Sequence, residues 1–424
     1  MKVLWIANML LPEAAEYLGV KTSPSGTWMI DLSNKIAEKE DITLAVTCVY
    51  GNEFKKFELN NKIYYLIPGN GKKLLFYNKG FVKYWEKIEN DFNPDIVHIH
   101  GTEYSHSISY MRRFPDKKYL LTIQGIISKI AEKNDGELSF WEKLVCRTLR
   151  ENTHLNGMFE SKLLMKKNSR YEKEIISHCQ YATGRTDWDK FWMKSVNPNL
   201  KYYRCNYNLR EEFYSSAKWE LSKIQRHTIY ASNSPQAPFK GGHIAIKALA
   251  IVKEKYPDVK LRVLSAKDTD GNIKVRSGYS KYCHRLIEKL ELKDNLEFLP
   301  RLSAQGVIDV MTSSHLCVIP SSMENASATL REALHMGVPS IASYRGGMTH
   351  LIKDGVSGFF FDFNEPEYLA GRIIELFEND DLAAKFSENA IKDAEIMHNR
   401  VKNIEDMIDV YNIINSNVNG SVNR

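Results

Sequence analysis

The string PSSMENASATLREA, residues 320–333, lies at the junction between a strand and a helix. The apolar run Leu316–Ile319 before it predicts a buried strand, and residues 326–336 have helix-forming composition. The free N–H groups at such a helix start can bind an anion such as a phosphate. Two carboxylates flank this point, Glu324 in the loop and Glu332 within the helix. Amides for a diphosphate and carboxylates for sugar hydroxyls together suit a nucleotide-sugar.

The flanking residues extend this pattern. Gly337 and Pro339 follow the predicted helix, and a glycine pair stands at Gly346 and Gly347. Residues 320–358 resemble the E-x7-E superfamily of retaining GT-B glycosyltransferases (glycosyl transferases group 1), whose hallmark is P-S-x-x-E-x7-E-A-x-x-x-G-x-P before a Gly-Gly turn. Two glutamates at this spacing alone would equally fit a solvated helix. The Pro-Ser, Gly-x-Pro and Gly-Gly elements make the resemblance specific.

The resemblance implies both a fold and residue roles. It implies an α/β chain of GT-B fold, with two doubly wound Rossmann-like domains facing a central cleft. Glu332 would hold the ribose diol and Glu324 the hydroxyls of the donor sugar. The loop and the first turn of the helix would bind the rest of the donor through Asn325, Ala326, Ser327, Ala328 and Thr329.

Short apolar runs alternate with amphipathic stretches along the chain, which predicts parallel sheets covered by helices on both faces. The predicted strands are Val3–Ala7, Ile42–Val49, Ile63–Ile67, Ile96–His100, Tyr119–Ile123, Tyr181–Thr183, Thr228–Ala231, Leu261–Leu264, Leu296–Leu299, Leu316–Ile319 and Ser340–Ala342. We expect an acceptor-binding domain at 1–208 and a nucleotide-sugar-binding domain at 209–395. By the resemblance, residues 396–424 form a helix that crosses back to the N-terminal domain and frays at its polar end.

Composition excludes several classes of protein. The 424 residues, the net charge of +6 and the 43% hydrophobic content are those of a soluble globular protein with more than one core. The six cysteines are scattered without a C-x-x-C pair, which favours reduced thiols in the cytoplasm over disulfides or a zinc site. No stretch approaches the ~20 apolar residues of a membrane span. The first apolar run is interrupted by Asn8, so a buried strand is favoured over a signal peptide.

Cations are needed wherever a diphosphate departs. Lys240, in Pro-Phe-Lys-Gly-Gly, matches the family lysine that reaches the donor diphosphate, but Ser234 stands where an arginine is usual. Arg301, which also follows a predicted strand, is the candidate to supply the second charge. Gly26, in the loop after the first strand, would lie beside the donor in the family, or else simply form the turn that caps a helix.

Candidate acceptor-binding residues follow the strands of the N-terminal half. His100 is expected near the mouth of the cleft, and Glu103 in the same His-Gly-Thr-Glu string would contact an acceptor hydroxyl. Gln124 stands where many relatives have a histidine, and it cannot act as a base. Arg185, in a Gly-Arg-Thr string also found in polysaccharide glycosyltransferases, would point at the cleft. The alternative interpretations are a polar loop for the string with His100 and Glu103, and a helix cap for the string that contains Arg185.

Two further patterns suggest a metal site and a membrane contact. Asp268 and Asp270 imitate a D-x-D metal motif, but the following Gly271 indicates a turn, and we expect no metal. Residues 141–173 are basic and amphipathic, with Lys162, Lys166, Lys167, Arg170 and Lys173 among Phe159, Leu163 and Leu164. This stretch fits a helix lying on an anionic membrane or a solvated helix packed on the first domain.

Together these residues predict a retaining, metal-independent hexosyltransferase that moves a sugar from a nucleoside-diphosphate sugar to a hydroxyl of a saccharide acceptor. By resemblance to capsule and exopolysaccharide glycosyltransferases, the acceptor is expected to be lipid-linked and the process to be bacterial surface polysaccharide biosynthesis. The protein would be cytoplasmic, at the inner face of the membrane if residues 141–173 bind there. No cofactor and no nucleic acid is expected. A catalytically inactive sugar-nucleotide-binding subunit of a synthase complex and a nucleotide-sugar 2-epimerase stay open as alternatives.

Overall fold

The computed structural model describes residues 1–21, 26–69, 74–232, 237–264 and 277–416. It divides into two compact units. The first comprises Met1–Ser128, Lys166–Asn208 and His398–Arg424, and the second comprises Lys129–Met165 and Leu209–Met397.

The first unit is built on a sheet of eight strands in the order β3-β4-β2-β1-β5-β6-β7-β8, parallel except for the β3–β4 pair. The order reverses direction between β1 and β5, which makes their carboxyl ends a topological switch point. The strands are β1 Lys2–Ala7, β2 Thr43–Val49, β3 Lys55–Leu59, β4 Lys62–Ile67, β5 Ile96–His100, β6 Tyr119–Thr122, β7 Tyr181–Gly184 and β8 Lys201–Arg204.

The second unit repeats the scheme with six parallel strands in the order β11-β10-β9-β12-β13-β14. Its switch point lies between β9 and β12, the two central strands. The strands are β9 Gln225–Ala231, β10 Lys260–Leu264, β11 Leu296–Leu299, β12 Ser314–Ile319, β13 Ser340–Ser343 and β14 Phe359–Phe361.

Helices connect and cover both sheets. They are α1 Pro12–Tyr17, α2 Thr27–Ala37, α3 Val82–Phe92, α4 His106–Arg113, α5 Ile127–Lys133, α6 Phe140–Cys146, α7 Leu149–His154, α8 Met158–His178, α9 Asp187–Val196, α10 Glu211–Ser215, α11 Gly242–Lys255, α12 Gly278–Lys289, α13 Ala304–Thr312, α14 Ala328–Met336, α15 Pro366–Glu378, α16 Asp380–Met397 and α17 Arg400–Ser416. Short 3₁₀ turns occupy Lys79–Phe81, Leu221–Lys223, Pro238–Lys240, Lys293–Asn295 and Gly346–His350. Among the described residues, no helix has both the length and the hydrophobicity needed to cross a membrane.

The prediction of two doubly wound α/β sheets is confirmed, and all eleven predicted strands are strands. Three strands were missed: β3, β8 and β14. All three are edge strands of their sheets. β3 and β8 lack the apolar run typical of a buried parallel strand, and β14 is a buried run of only three residues. The six cysteines are free and buried, which agrees with the prediction of reduced thiols.

The predicted domain limits differ from the two units in one segment. Residues 129–165 fall inside the predicted domain 1–208 but belong to the second unit. Polar contacts within that unit hold them there. The Glu151 carboxylate accepts the Gly278 N–H at 2.7 Å, and the Tyr282 hydroxyl donates to Glu142 at 2.7 Å. Sequence patterns gave no sign of this, because such contacts join residues far apart in the chain.

The last helix, α17, is part of the first unit. Met407, Val410, Tyr411 and Ile414 are buried in the core of that unit. The Tyr411 hydroxyl accepts the Trp5 indole N–H at 2.8 Å and lies 2.6 Å from His98 Nδ1. These hydrogen bonds satisfy polar groups of two neighbouring strands, β1 and β5, and fix the register of the helix on the sheet.

Candidate functional site

The switch point of the second unit carries residues 320–333, with the two motif glutamates Glu324 and Glu332. Strand β12 ends at Ile319, and helix α14 begins at Ala328, two residues later than predicted. Ser327 is its N-cap, with Oγ accepting the Leu330 N–H at 3.4 Å. The delay leaves Asn325 and Ala326 in the loop, so the loop between strand and helix is longer and can curve around a ligand.

Glu324 is held at the centre of this loop by three contacts. Its carboxylate pairs with the Lys240 ammonium and accepts the Ser321 hydroxyl at 3.2 Å. Its backbone carbonyl accepts the Gly347 N–H at 3.0 Å. A Cβ on Gly346 would lie 2.2 Å from that same carbonyl oxygen. The glycine pair therefore lets the loop after β13 pack directly on the backbone of Glu324.

Lys240 ends the 3₁₀ turn Pro238–Lys240, which rests on the same loop. The Phe239 carbonyl accepts the Ser322 N–H at 2.7 Å. Gly241 has φ +71°, and a Cβ there would lie 1.6 Å from the Pro320 carbonyl oxygen. Only glycine fits this position, because both the backbone conformation and the close approach exclude a side chain.

Glu332 lies in the second turn of α14 and has a partner that sequence reasoning missed. Arg210 Nη2 donates to Glu332 Oε1 at 2.9 Å. Burial raises the pKa of the Glu332 carboxyl, and the Arg210 charge opposes that rise. Nearby, the hydroxyls of Thr329 and Ser232 are hydrogen-bonded at 2.6 Å. Arg210 lies at the start of the predicted second domain, outside any recognised motif, so no sequence signal pointed to it.

The structure describes only some of the other residues that were considered for donor or metal binding. Arg301 is exposed just beyond β11, the edge strand, and among the described residues it has no ion pair with Glu324 or Glu332. Two strand spacings separate β11 from β9, roughly 10 Å. Ser234, Asp268 and Asp270 lie outside the described residues. Within the described part of the chain, no cluster of three or more His, Cys, Asp or Glu residues could hold a metal ion.

In the first unit the prediction for His100 is wrong about its exposure. His100 is fully buried, with its ring centroid 3.9 Å from that of His98 and 4.3 Å from that of Trp5. Burial lowers its pKa to about 3, so it is neutral. The strand ends at His100 as predicted, but this last residue is covered by neighbouring rings, and the chain turns away only at Gly101, where φ is +89°.

Glu103 lies beyond that turn, in a polar cluster. Its carboxylate accepts Asn8 Nδ2 at 2.5 Å and the Gly125 N–H at 3.2 Å. Burial raises the pKa of the Glu103 carboxyl to about 7, and the positive charge of Arg185 partly opposes the rise. Asn8 follows β1 and Gly125 follows β6, so the cluster lies at the switch point of the first unit.

The fold brings Gln124 and Arg185 together, and Arg185 is engaged with backbone rather than pointing freely at a cleft as predicted. Arg185 is buried, and its Nη2 donates to the carbonyls of Ile123 at 3.2 Å and Gln124 at 2.9 Å. Its guanidinium lies 4.3 Å from the centre of the Tyr207 ring. Arg185 thus fixes the backbone that presents Gln124, which is half-buried. Gly26 is the N-cap of α2 with φ +80°, and a Cβ there would meet Met9 Sδ at 2.4 Å.

Comparison with known proteins gives a family match over part of the chain. Residues 220–393 match the family model for glycosyl transferases group 1. The matched range contains Lys240, Glu324 and Glu332. The chain is 27% identical over 151 residues to D-inositol 3-phosphate glycosyltransferase of Corynebacterium urealyticum, covering 36% of this chain and 35% of that protein. It is 28% identical over 174 residues to spore coat protein SA of Bacillus subtilis, covering 41% of this chain and 45% of that protein. The chain thus spans less than half of the curated relatives it matches.

Solved structures match over nearly the whole chain. Sucrose-phosphate synthase from Thermosynechococcus elongatus has a TM-score of 0.71 at 13% identity, covering 97% of this chain and 98% of that one. Anabaena HepE, solved in complex with UDP, has a TM-score of 0.65 at 16% identity, covering 97% and 100%. These likenesses establish the GT-B fold, as the resemblance implied.

Gly241→Ala should be far more destabilising than Gly355→Ala. Both glycines have positive φ, +71° and +68°, but a Cβ at Gly355 meets nothing within 4 Å. The second variant therefore reports only the cost of a left-handed alanine, about 1 kcal/mol. Urea unfolding of both variants measures the difference. Equal losses would mean that the turn at Lys240 does not press on Pro320.

Glu103→Gln should change the pH dependence of stability. A folded pKa of about 7, above the usual 4.5, means that the folded state binds more protons between these values, so Glu103 lowers stability as pH rises through that window. In Glu103→Gln, stability should no longer decrease in this way as the pH rises. The control Glu405→Gln, at an exposed helix position, should show the same decrease as wild type. The readout is the slope of unfolding free energy from about pH 5 to about pH 8. Parallel slopes for wild type and Glu103→Gln would refute the burial argument.

Proposed function

We propose that the protein is a retaining glycosyltransferase that transfers a sugar from a nucleoside-diphosphate sugar to a hydroxyl of a saccharide acceptor. The observation that carries this proposal is the Lys240–Glu324 pair, held beside the capped start of α14 at a switch point. The group 1 family match covers both residues. Anabaena HepE, which shares the fold, was solved with UDP and with UDP-glucose.

The reaction places its largest charge on the departing diphosphate. As the bond from the sugar C1 to the phosphate oxygen breaks, negative charge develops on the diphosphate, and Lys240 with the first amides of α14 would stabilise it. The acceptor oxygen then bonds to C1 on the same face, and its proton passes to the departing phosphate oxygen. This route retains configuration and requires neither a side-chain nucleophile nor a metal. We leave Arg301 out of this clamp because it follows the edge strand.

The two glutamates have separate tasks in this scheme. Glu332 accepts hydrogen bonds from the ribose diol through Oε2, while Arg210 occupies Oε1. Glu324 accepts from donor sugar hydroxyls, with Ser321 fixing its orientation. On the first unit, Glu103 and Gln124 are the proposed acceptor contacts, and Arg185 positions the backbone that carries Gln124. We propose a bacterial surface polysaccharide, such as a capsule or exopolysaccharide, as the acceptor class.

A second candidate function is that of a catalytically inactive, sugar-nucleotide-binding subunit of a synthase complex. Gln124 in place of the usual histidine, and Ser234 in place of the usual arginine, favour it. The two candidates separate in one experiment. A panel of UDP- and GDP-sugars is screened by thermal shift, and the stabilising donor is then incubated with saccharide acceptors. Release of the nucleoside diphosphate supports the transferase, and binding without release supports the inactive subunit.

Glu332→Ala should weaken donor binding by about 10- to 100-fold, because the ribose diol loses a charged hydrogen-bond acceptor. Glu375→Ala is the matched control, since Glu375 also pairs with an arginine, Arg372, at 2.8 Å on an exposed face of the same unit. Isothermal titration with the donor measures both. Unchanged affinity in Glu332→Ala would remove this residue from the donor site.

Lys240→Ala should lower turnover by about 10²- to 10³-fold, the loss typical of one preorganised group at a developing anion. Arg301→Ala, which removes an exposed cation beyond the edge strand, should stay within about twofold of wild type. EDTA should leave the wild-type rate intact. Turnover is followed by nucleoside-diphosphate release. A large loss in Arg301→Ala, or activity that returns only with added magnesium or manganese, would contradict the proposed clamp.

A further inference from the structure

Exposed apolar side chains are concentrated in one segment of the second unit. Among the described residues nineteen large hydrophobic side chains are exposed, and eight of them lie between residues 140 and 164. They are Phe140, Trp141, Leu144, Val145, Leu149, Leu155, Leu163 and Leu164. A concentration of this kind marks an interaction surface rather than ordinary scatter.

Helix α6 shows that the exposure is built in. Phe140, Trp141, Leu144 and Val145 fall within one face of the helix, and they are 58%, 70%, 45% and 60% exposed. We call this face the α6 surface. A helix at a protein surface normally turns such a face inward. Here the apolar face of α6 is directed to solvent.

The opposite face of α6 is polar and is tied to the protein. The Lys143 ammonium lies 2.7 Å from the Asp135 carboxylate, and Glu142 accepts the Tyr282 hydroxyl at 2.7 Å. Cys146 is buried, and Ser139 caps the helix in a capping box with Glu142. Specific contacts therefore hold the helix in this orientation.

A cationic groove adjoins the α6 surface. It has a volume of about 510 Å³, and Trp141 and Val145 form one side of it. Three cations, Lys247, Arg285 and Lys289, also line it. Lys247 and Lys289 have no ion-pair partner among the described residues, whereas Arg285 donates to the Val145 carbonyl at 3.3 Å.

Carboxylates near the α6 surface have partners, including Glu142, which also lines the groove and accepts the Tyr282 hydroxyl. Glu151 is buried, and Glu160 pairs with Arg147 at 2.5 Å. The exposed ionisable side chain nearest in sequence is Arg150. On the neighbouring helix α12, Glu288 is exposed but lies 3.3 Å from His284 Nδ1. The surface is thus apolar and aromatic at its centre and mainly cationic around it.

We propose that the α6 surface and its cationic groove dock the protein on an anionic lipid bilayer. Tryptophan and phenylalanine are suited to the boundary between headgroups and acyl chains, and lysines beside them attract anionic headgroups. The clustered cations argue against an interface between two copies of the chain, because the like charges of the two copies would repel each other there. This proposal goes beyond the transferase reaction, since it assigns the second unit its own membrane contact.

The test is co-sedimentation of the full chain with vesicles. Wild type should bind vesicles of phosphatidylcholine with 30% phosphatidylglycerol more tightly than pure phosphatidylcholine vesicles, and salt should weaken the binding. Trp141→Ser with Leu144→Ser should reduce binding to the anionic vesicles about tenfold or more. Lys247→Ala with Lys289→Ala should remove the preference for anionic lipid. Ile396→Ser, at a 77% exposed position on α16, is the matched control and should bind as wild type.

Donor affinity and the circular dichroism spectrum check that the variants are folded. Vesicle binding that is absent in wild type, or that is equal in wild type and Trp141→Ser/Leu144→Ser, overturns the proposal. The proposal is also overturned if light scattering shows that the wild type is a dimer and that Trp141→Ser/Leu144→Ser is a monomer. The α6 surface would then bind a second copy of the chain. The result does not depend on catalysis, so failure here leaves the proposed reaction untouched.

Discussion

The close approach of two backbone segments at one switch point determines the candidate donor site. The turn Pro238–Lys240 lies against Pro320–Ser322, with the Ser322 N–H bonded to the Phe239 carbonyl and no room for a side chain at Gly241. Strands β9 and β12 are neighbours, so both segments leave the same edge of the sheet. The backbone segments that carry Lys240 and Glu324 are therefore fixed relative to each other, and the ion pair between the two side chains completes the arrangement. Preorganisation of this kind is what electrostatic stabilisation of a transition state requires.

Charge compensation is the second constraint. Each glutamate of the motif has its own cation, Lys240 for Glu324 and Arg210 for Glu332. A partly buried carboxylate without a partner would be costly and would tend to take up a proton. In the proposed reaction the diphosphate competes with Glu324 for Lys240, and the carboxylate that loses this partner gains donor hydroxyls. The site can thus accept a highly charged ligand without leaving a buried charge unpaired at either stage.

The sequence predicted those parts of the structure that depend on neighbouring residues. Buried strands appear as apolar runs, and the segment 320–347 contains its own turn glycines, cap and helix. Arg210 and Asn8 were missed because each meets its carboxylate only through the fold, 122 and 95 residues away in the chain. His100 was misjudged for a similar reason. Whether the last residue of a strand is buried depends on the helices and rings packed over it, here Trp5 and Trp28.

The segment 129–165 links these observations. The chain leaves the first unit within α5 and returns within α8. In between it packs against the loops of the donor site. Ser322 Oγ donates to the Lys133 carbonyl at 3.3 Å, and a Cβ on Gly136 would lie 2.5 Å from the Pro238 carbonyl oxygen.

The same segment carries the outward apolar face of α6. Its anchoring residue Asp135 accepts both Lys143 at 2.7 Å and Lys162 at 2.9 Å, and these charges hold its pKa below the usual value. Residues 133–136, which precede α6, thus contact both backbone segments of the candidate donor site. One of these contacts is a hydrogen bond from the Ser322 side chain to the Lys133 backbone, and the other is the close approach of Gly136 to the Pro238 carbonyl. The α6 surface and the geometry around Lys240 are thus linked by one short stretch of chain within the same unit.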